Sequence, residues 1–181
     1  DGDVDIHNYE EVAKYISENT NPDTDIHSTQ GPVDVLDHSC SVMAFGGKMG
    51  IDATKKLPEE RIRSASPSPS GEGLGDALSL SKRVRLENLK PLFPEIYSVN
   101  DSLLQKGISI VIISVEKNRR NHLRALSEKL FQHEMLSNIK IVLFLDHTID
   151  ISSVADAVWR FTNNVDPKRD SQVLTVENPP S

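Results

Sequence analysis

Ile108-Ser109-Ile110-Val111-Ile112-Ile113-Ser114-Val115 and, further on, Ile139-Lys140-Ile141-Val142-Leu143-Phe144-Leu145 are the two stretches whose reading decides the fold. Each is a nearly unbroken apolar run rich in β-branched side chains, the pattern of a strand covered on both faces. Between them, from Arg119 to about Leu136, Leu123, Leu126, Leu130 and Phe131 recur at helical spacing, with Arg120, Arg124, Glu128 and Lys129 left for the solvent side. Strand, helix and strand in that order predict a βαβ unit with parallel strands and a right-handed crossover. After Asp150, the series Val154, Ala157, Val158 and Phe161 predicts another helix, with Ser152 or Ser153 placed to cap it. The fold class is therefore α/β, built of parallel βαβ units with flanking helices.

Upstream, Ser64 to Ala77 contains Ser66-Pro67-Ser68-Pro69-Ser70-Gly71 and almost nothing apolar, which marks a linker or long loop at about 63–80. Nearer the start, Tyr9, Val12, Ala13 and Ile16 share a helical face, with Asn8 as a cap and an end near Asn19. This opening stretch repeats the later one. Asp1 to Asp25 aligns without a gap on Asp146 to Asp170, with identities at Asp1/Asp146, Asp5/Asp150, Ile6/Ile151, Asn19/Asn164, Pro22/Pro167 and Asp25/Asp170. Both copies read acidic strand end, helix, then Asn-x-x-Pro-x-x-Asp, and the unbroken register points to duplication. Three regions result: 1–62, the linker at 63–80, and a second repeat at 81–181. The second copy has a strand ahead of its acidic turn, whereas the first begins at that turn, so a leading strand is expected upstream of Asp1. An opening of Asp1-Gly2-Asp3 without methionine likewise reads as cut or processed from something longer.

The chain has 181 residues, 37% of them hydrophobic, enough for one ordinary domain or two small ones. A net charge of −7 argues against a nucleic-acid partner, which would draw on clustered Lys and Arg. No apolar run approaches the roughly 20 residues of a membrane-spanning helix. A lone cysteine, Cys40, excludes an internal disulfide, and with no secretory leader in view a cytoplasmic location is expected.

Gly31-Pro32-Val33-Asp34-Val35-Leu36-Asp37-His38-Ser39, followed by Gly47-Lys48-Met49-Gly50-Ile51-Asp52-Ala53-Thr54-Lys55-Lys56-Leu57-Pro58-Glu59-Glu60, closely resembles the C-terminal signature of UbiD-type decarboxylases. The second copy resembles the same domain from Leu92-Phe93-Pro94-Glu95-Ile96 through Trp159-Arg160-Phe161-Thr162 to Asp166-Pro167-Lys168-Arg169-Asp170, but lacks the Gly-Ile-Asp-Ala-Thr element. A plain family member would carry one such domain. The resemblance implies nonoxidative loss of carbon dioxide from an aromatic or α,β-unsaturated acid, often on routes to ubiquinone or menaquinone. It implies a prenylated FMN cofactor held through manganese and potassium, a Glu-Arg-Glu set for proton chemistry, and a homo-oligomer. Those groups lie mainly before this region of the family protein, so no catalytic residue is carried over and no cofactor is expected on this fragment alone. What the region implies instead is support of the active site, with a loop near the substrate pocket. Ser39 to Lys48 matches that loop best, making Met43 and Phe45 the candidate pocket-lining side chains.

Asp52 and Thr54 are the polar centre of the signature, and Lys48 and Lys55 are the candidates for meeting an anionic substrate or phosphate. Asp and Thr are also ordinary turn and cap residues, which favours a structural role. Asp1, Asp3 and Asp5 open like an EF-hand loop, but Ile6 and Val12 occupy the positions that need Gly and Glu. Gly46-Gly47-Lys48-Met49 lacks the glycine spacing and the Ser or Thr of a P-loop and reads as a tight turn. The six histidines show no HExxH pattern, so no metal site is assigned and most are expected at the surface or as caps. Cys40 reads as a small packed residue and Trp159 as core packing. Beside the decarboxylase reading stands a noncatalytic oligomerisation or regulatory module derived from the same domain. A free-standing nucleotide-binding domain would want a Gly-rich turn after a strand, and neither apolar run is followed by one.

Overall fold

A computed structural model describes residues 2–61 and 86–175. The linker expected at 63–80 lies outside the described residues. The first apolar run forms β4 (Ile110–Val115) and the second β5 (Ile141–Asp146), paired in parallel from Ile110↔Ile141 to Val115↔Asp146. In the connection lies α4 (His122–Phe131). The sheet is mixed, because β3 (Ile96–Asn100) pairs antiparallel with the other edge of β4, with a bulge between Ile96 and Ser98. This departs from a purely parallel arrangement. β3 interrupts its apolar residues with Ser98 and Asn100, so no buried-strand run announces it.

Every residue of β4 is buried, as a central strand covered on both faces requires. On one face Val111, Ile113 and Val115 pack with Leu126 and Leu130 of α4 and with Leu86 and Leu89, the latter at the start of α3 (Leu89–Leu92). On the other, Ile112 packs with Leu145, Ile151 and Ala157 of α5 (Val154–Asn164). β5, an edge strand, is mostly half-buried rather than enclosed. The helix expected from Arg119 starts only at His122, because Asn121 sits at φ 59°, a left-handed conformation that cannot continue a helix. It ends at Phe131, and a separate 3₁₀ turn, Glu134–Leu136, follows with His133 as its cap.

The two aligned stretches form matching helices. α1 (Tyr9–Asn19) and α5 begin and end at positions one repeat apart. Asn8 caps the first by accepting from Glu11 N, and Ser153 caps the second by accepting from Asp156 N. At the far ends, the Asn19 and Asn164 side-chain amides donate to the carbonyls of Tyr15 and Arg160. α1 packs through Ala13 against Leu103, Ile108 and Ile110 of the second copy. Lys140 Nζ donates to Ser17 O at 2.6 Å, neutralising a carbonyl of the last helical turn.

Trp159 is a correction: it is 60% exposed, with the Arg160 guanidinium 5.2 Å from its ring centre. The buried stripe of α5 runs through Val154, Ala157 and Phe161. At 3.6 residues per turn, a residue two beyond Ala157 points roughly 200° away from that stripe.

After α1 the first copy forms an antiparallel hairpin, β1 (Ile26–Pro32) with β2 (Phe45–Ile51), paired from Ile26↔Ile51 to Pro32↔Phe45. A short helix, α2 (Pro58–Arg61), follows it, and the hairpin rests against α6 (Pro167–Asp170) of the second copy.

Candidate functional site

The hairpin displays the loop at 33–44. At its tip Phe45 N donates to Val42 O at 3.1 Å, and Ala44 takes φ 56°. A positive φ at the third position is the requirement of a type II turn, normally met by glycine. Met43 therefore stands at the apex, 88% exposed, with Phe45 beside it at 47%. Val35, Leu36 and Val42 of the same loop are also exposed. Five exposed apolar side chains on one loop favour an interaction or ligand surface.

The loop is braced from within. Asp34 Oδ1 accepts from Leu36 N at 2.8 Å, and Asp37 Oδ1 accepts from Ser39 N at 2.9 Å and Ser39 Oγ at 2.5 Å. The Ser39 hydroxyl, then the Ser39 N–H, hold the Asp37 carboxyl below its ordinary range. Cys40 donates its thiol to Asp37 O and packs against Gly46, where a Cβ would lie 2.8 Å from Cys40 Cβ.

Its base is held by the second copy. Gly47 N donates to Asp166 Oδ2 at 3.1 Å, while Asp166 Oδ1 accepts from Lys168 N at 3.0 Å and Arg169 N at 3.1 Å. Burial pushes the Asp166 carboxyl up, but the N–H groups of Arg169, Gly47 and Lys168 outweigh it and hold the group below its usual range. Arg169 extends Nη1 to Ser39 O at 3.0 Å and grips Asp170 with Nε and Nη2 at 2.7 and 2.5 Å.

The signature residues Asp52 and Thr54 lie elsewhere, beyond the opposite end of β2 and roughly 20 Å of extended chain from Phe45. Thr54 N and Oγ1 donate to Asp52 Oδ1 at 2.9 and 2.6 Å, and Asp52 N donates to Asp25 O at 2.8 Å. The cation that closes this knot is Lys56, 2.8 Å from Asp52 Oδ2 and 3.4 Å from Asp25 Oδ2. Lys56 and Thr54 together pull the Asp52 carboxyl far below its ordinary range. Lys55 is exposed beside it, and Lys48 is exposed in β2 opposite Thr29. Of the six residues singled out, the structure thus joins Met43 with Phe45 and Asp52 with Thr54.

Asp166, Arg169, Asp25 and Lys56 were not singled out as site residues from the sequence. Gly46-Gly47-Lys48-Met49, expected as a tight turn, instead runs inside β2 paired with Ser28 to Gly31, and adjacent glycines inside a strand mark close approach by another backbone. His122 also escaped the surface expectation, being 1% exposed with Nε2 3.4 Å from Glu95 Oε1. Among the described residues no group of three His, Cys, Asp or Glu side chains converges to hold a metal ion, and no helix is long and apolar enough to cross a membrane.

Compared with known proteins, residues 1–53 and 77–178 match the family profile of the 3-octaprenyl-4-hydroxybenzoate carboxy-lyase C-terminal domain. Proteins from two Helicobacter pylori strains, each described as an uncharacterized protein, are 32% identical over 162 residues, covering 88% of this chain and 23% of their own length. An Aquifex aeolicus protein with the same description is 42% identical over 57 residues, 32% of this chain and 12% of its own. The chain thus spans about a quarter or less of the relatives it matches. The match across 88% of the chain takes in residues on both sides of 63–80. No solved structure matches significantly.

Proposed function

Because the chain belongs to the 3-octaprenyl-4-hydroxybenzoate carboxy-lyase C-terminal domain family, we propose that it serves as the C-terminal region of a longer UbiD-type decarboxylase. In this reading the longer protein removes carbon dioxide from an aromatic or α,β-unsaturated acid, of the kind met in ubiquinone or menaquinone routes. The observation that carries the reading is the loop at 33–45, which presents Met43 and Phe45 outward from a braced base in a chain of this family. An exposed apolar tip is what a supporting domain needs in order to cover a substrate ring and keep water from it.

The family's prenylated FMN, with its manganese and potassium, supplies the electron sink for decarboxylation when bound. The residues described here do not fit that group. They offer no convergent metal ligands, and the carboxylates of Asp52 and Asp166 are committed to Lys56 and to backbone N–H groups. No catalytic step is therefore assigned to this chain, and the cofactor is proposed to sit on the remainder of the longer protein.

The test is carbon dioxide release from a panel of aromatic acids by the longer protein, coexpressed with a prenylated-flavin synthase, with this chain run in parallel. Release by the longer protein alone supports the reading. Release by this chain alone contradicts it, and so does silence from a flavin-loaded longer protein. A second reading, a noncatalytic module for association into a homo-oligomer, is favoured by exposed Trp159 and Val158 side by side on α5.

A further inference from the structure

We propose that Asp166 of the second copy is a positioning residue for the apolar loop at 33–45, and that supplying this seat is what the second copy does for the first. That the loop faces substrate rests on the decarboxylase reading; the seat does not.

Asp166 is 4% exposed and divides its oxygens between two tasks. Oδ1 closes its own turn by accepting from Lys168 N and Arg169 N, and Oδ2 reaches out to Gly47 N. Three N–H groups converge, so both ends of the side chain must accept, which a carboxylate does. The hairpin approaches closely enough that a Cβ on Gly47 would overlap Asp166 Oδ1 and come within 2.5 Å of Lys168 N. Arg169 adds a second grip at Ser39 O. The loop is therefore held at 39 and at 47, on either side of the Met43-Ala44 tip.

The first copy supplies an internal comparison. Its turn repeats the second's bonds: Asn21 N donates to Asp25 Oδ2 at 2.8 Å as Asp166 N does to Asp170 Oδ2 at 2.9 Å. Asp25 N and Asp170 N return to Asn21 O and Asp166 O at 2.9 and 2.8 Å. Asn21 Oδ1 accepts from Asp23 N at 3.1 Å, the role of Asp166 Oδ1 toward Lys168 N. The other end of Asn21 is an NH₂ donor, which cannot accept from a strand N–H. The two turns share a shape, and the one with the carboxylate seats a hairpin.

Asp166→Asn converts the seat to the first copy's residue at nearly constant volume. In the 181-residue chain, hydrogen exchange at Gly47 and across 33–45 is expected to quicken by roughly tenfold or more, the scale of one lost charge-assisted hydrogen bond, while β4 and β5 keep wild-type protection. Gly47→Ala should reproduce that local pattern, and Gly50→Ala, with nothing within 4 Å of its Cβ, should not. Should Gly47→Ala fail to fold, Asp166→Asn decides alone. Unchanged loop exchange in folded Asp166→Asn overturns the proposal, as does a loss shared equally by β4 and β5. In the longer protein Asp166→Asn should raise KM with kcat little changed, and a fall in kcat at constant KM counts against a substrate-facing role. If the longer protein releases no carbon dioxide at all, the decarboxylase reading falls while the exchange result still judges the seat.

Discussion

At residue scale, the polar positions of the signature carry structure and the apolar ones carry the surface. Asp52 illustrates the first: its charge is satisfied by Lys56 and by two groups of Thr54. The folded-state pKa is depressed below the ordinary 3.8, so this stabilisation is present above that value and is lost as pH falls through the lower folded one. Denaturant midpoints taken between about pH 6 and pH 2 should decline in acid for the wild type, and less steeply for Asp52→Asn, which has no such proton to gain. Ala44 shows that the loop also stores strain. A left-handed alanine costs on the order of 1–2 kcal/mol, part of which glycine returns as unfolded-state entropy. Ala44→Gly should therefore raise stability by up to about 1 kcal/mol in urea melts, and an unchanged or lower midpoint would count against strain at the tip. The turn role of Asp52 and Thr54 was legible from residue type; the left-handed Ala44 and the choice of Lys56 were not. A positive φ at an alanine leaves no mark on composition, and the choice of Lys56 over Lys55 depends on which side of a turn each residue takes.

At the scale of elements, legibility followed the strength of the local pattern. The β4 run is long, β-branched and enclosed, and the two capped helices repeat their registers, so these could be read directly. β1 and β2 could not, because His27, Gln30, Gly46, Gly47 and Lys48 break any alternation and the hairpin is stabilised by a distant turn. Asn8→Ala and Ser153→Ala each remove a cap and should each cost about 1 kcal/mol, measured by chemical denaturation. Similar losses fit equivalent helices, whereas a cost at one site alone would show that the copies have parted in energetics. Ile113→Ala, in the enclosed strand, should cost about 2–5 kcal/mol by opening a cavity, whereas Trp159→Ala on the wet face of α5 should change little.

For the whole molecule, the first copy lies against the second through α1, with Ala13 on the apolar cluster and Lys140 on Ser17, and through the hairpin seated on Asp166. The second copy contributes the sheet and its core, and the first contributes the loop. The stretch without the Gly-Ile-Asp-Ala-Thr element thus supplies, through Asp166 and Arg169, the base on which the loop of the other stands. Asp166, like Asp52, has a depressed carboxyl, so acid should free the hairpin only as pH falls below the ordinary carboxylate value.

The most direct measurement is the Michaelis constant of the longer protein for a bulky aromatic acid, comparing wild type with Met43→Ala and Phe45→Ala. If this chain covers the substrate, each substitution should raise KM by roughly tenfold, the scale of one lost apolar contact, and should do so less for a small acid. Identical constants for both acids in all three proteins would contradict the account and place the loop away from the pocket.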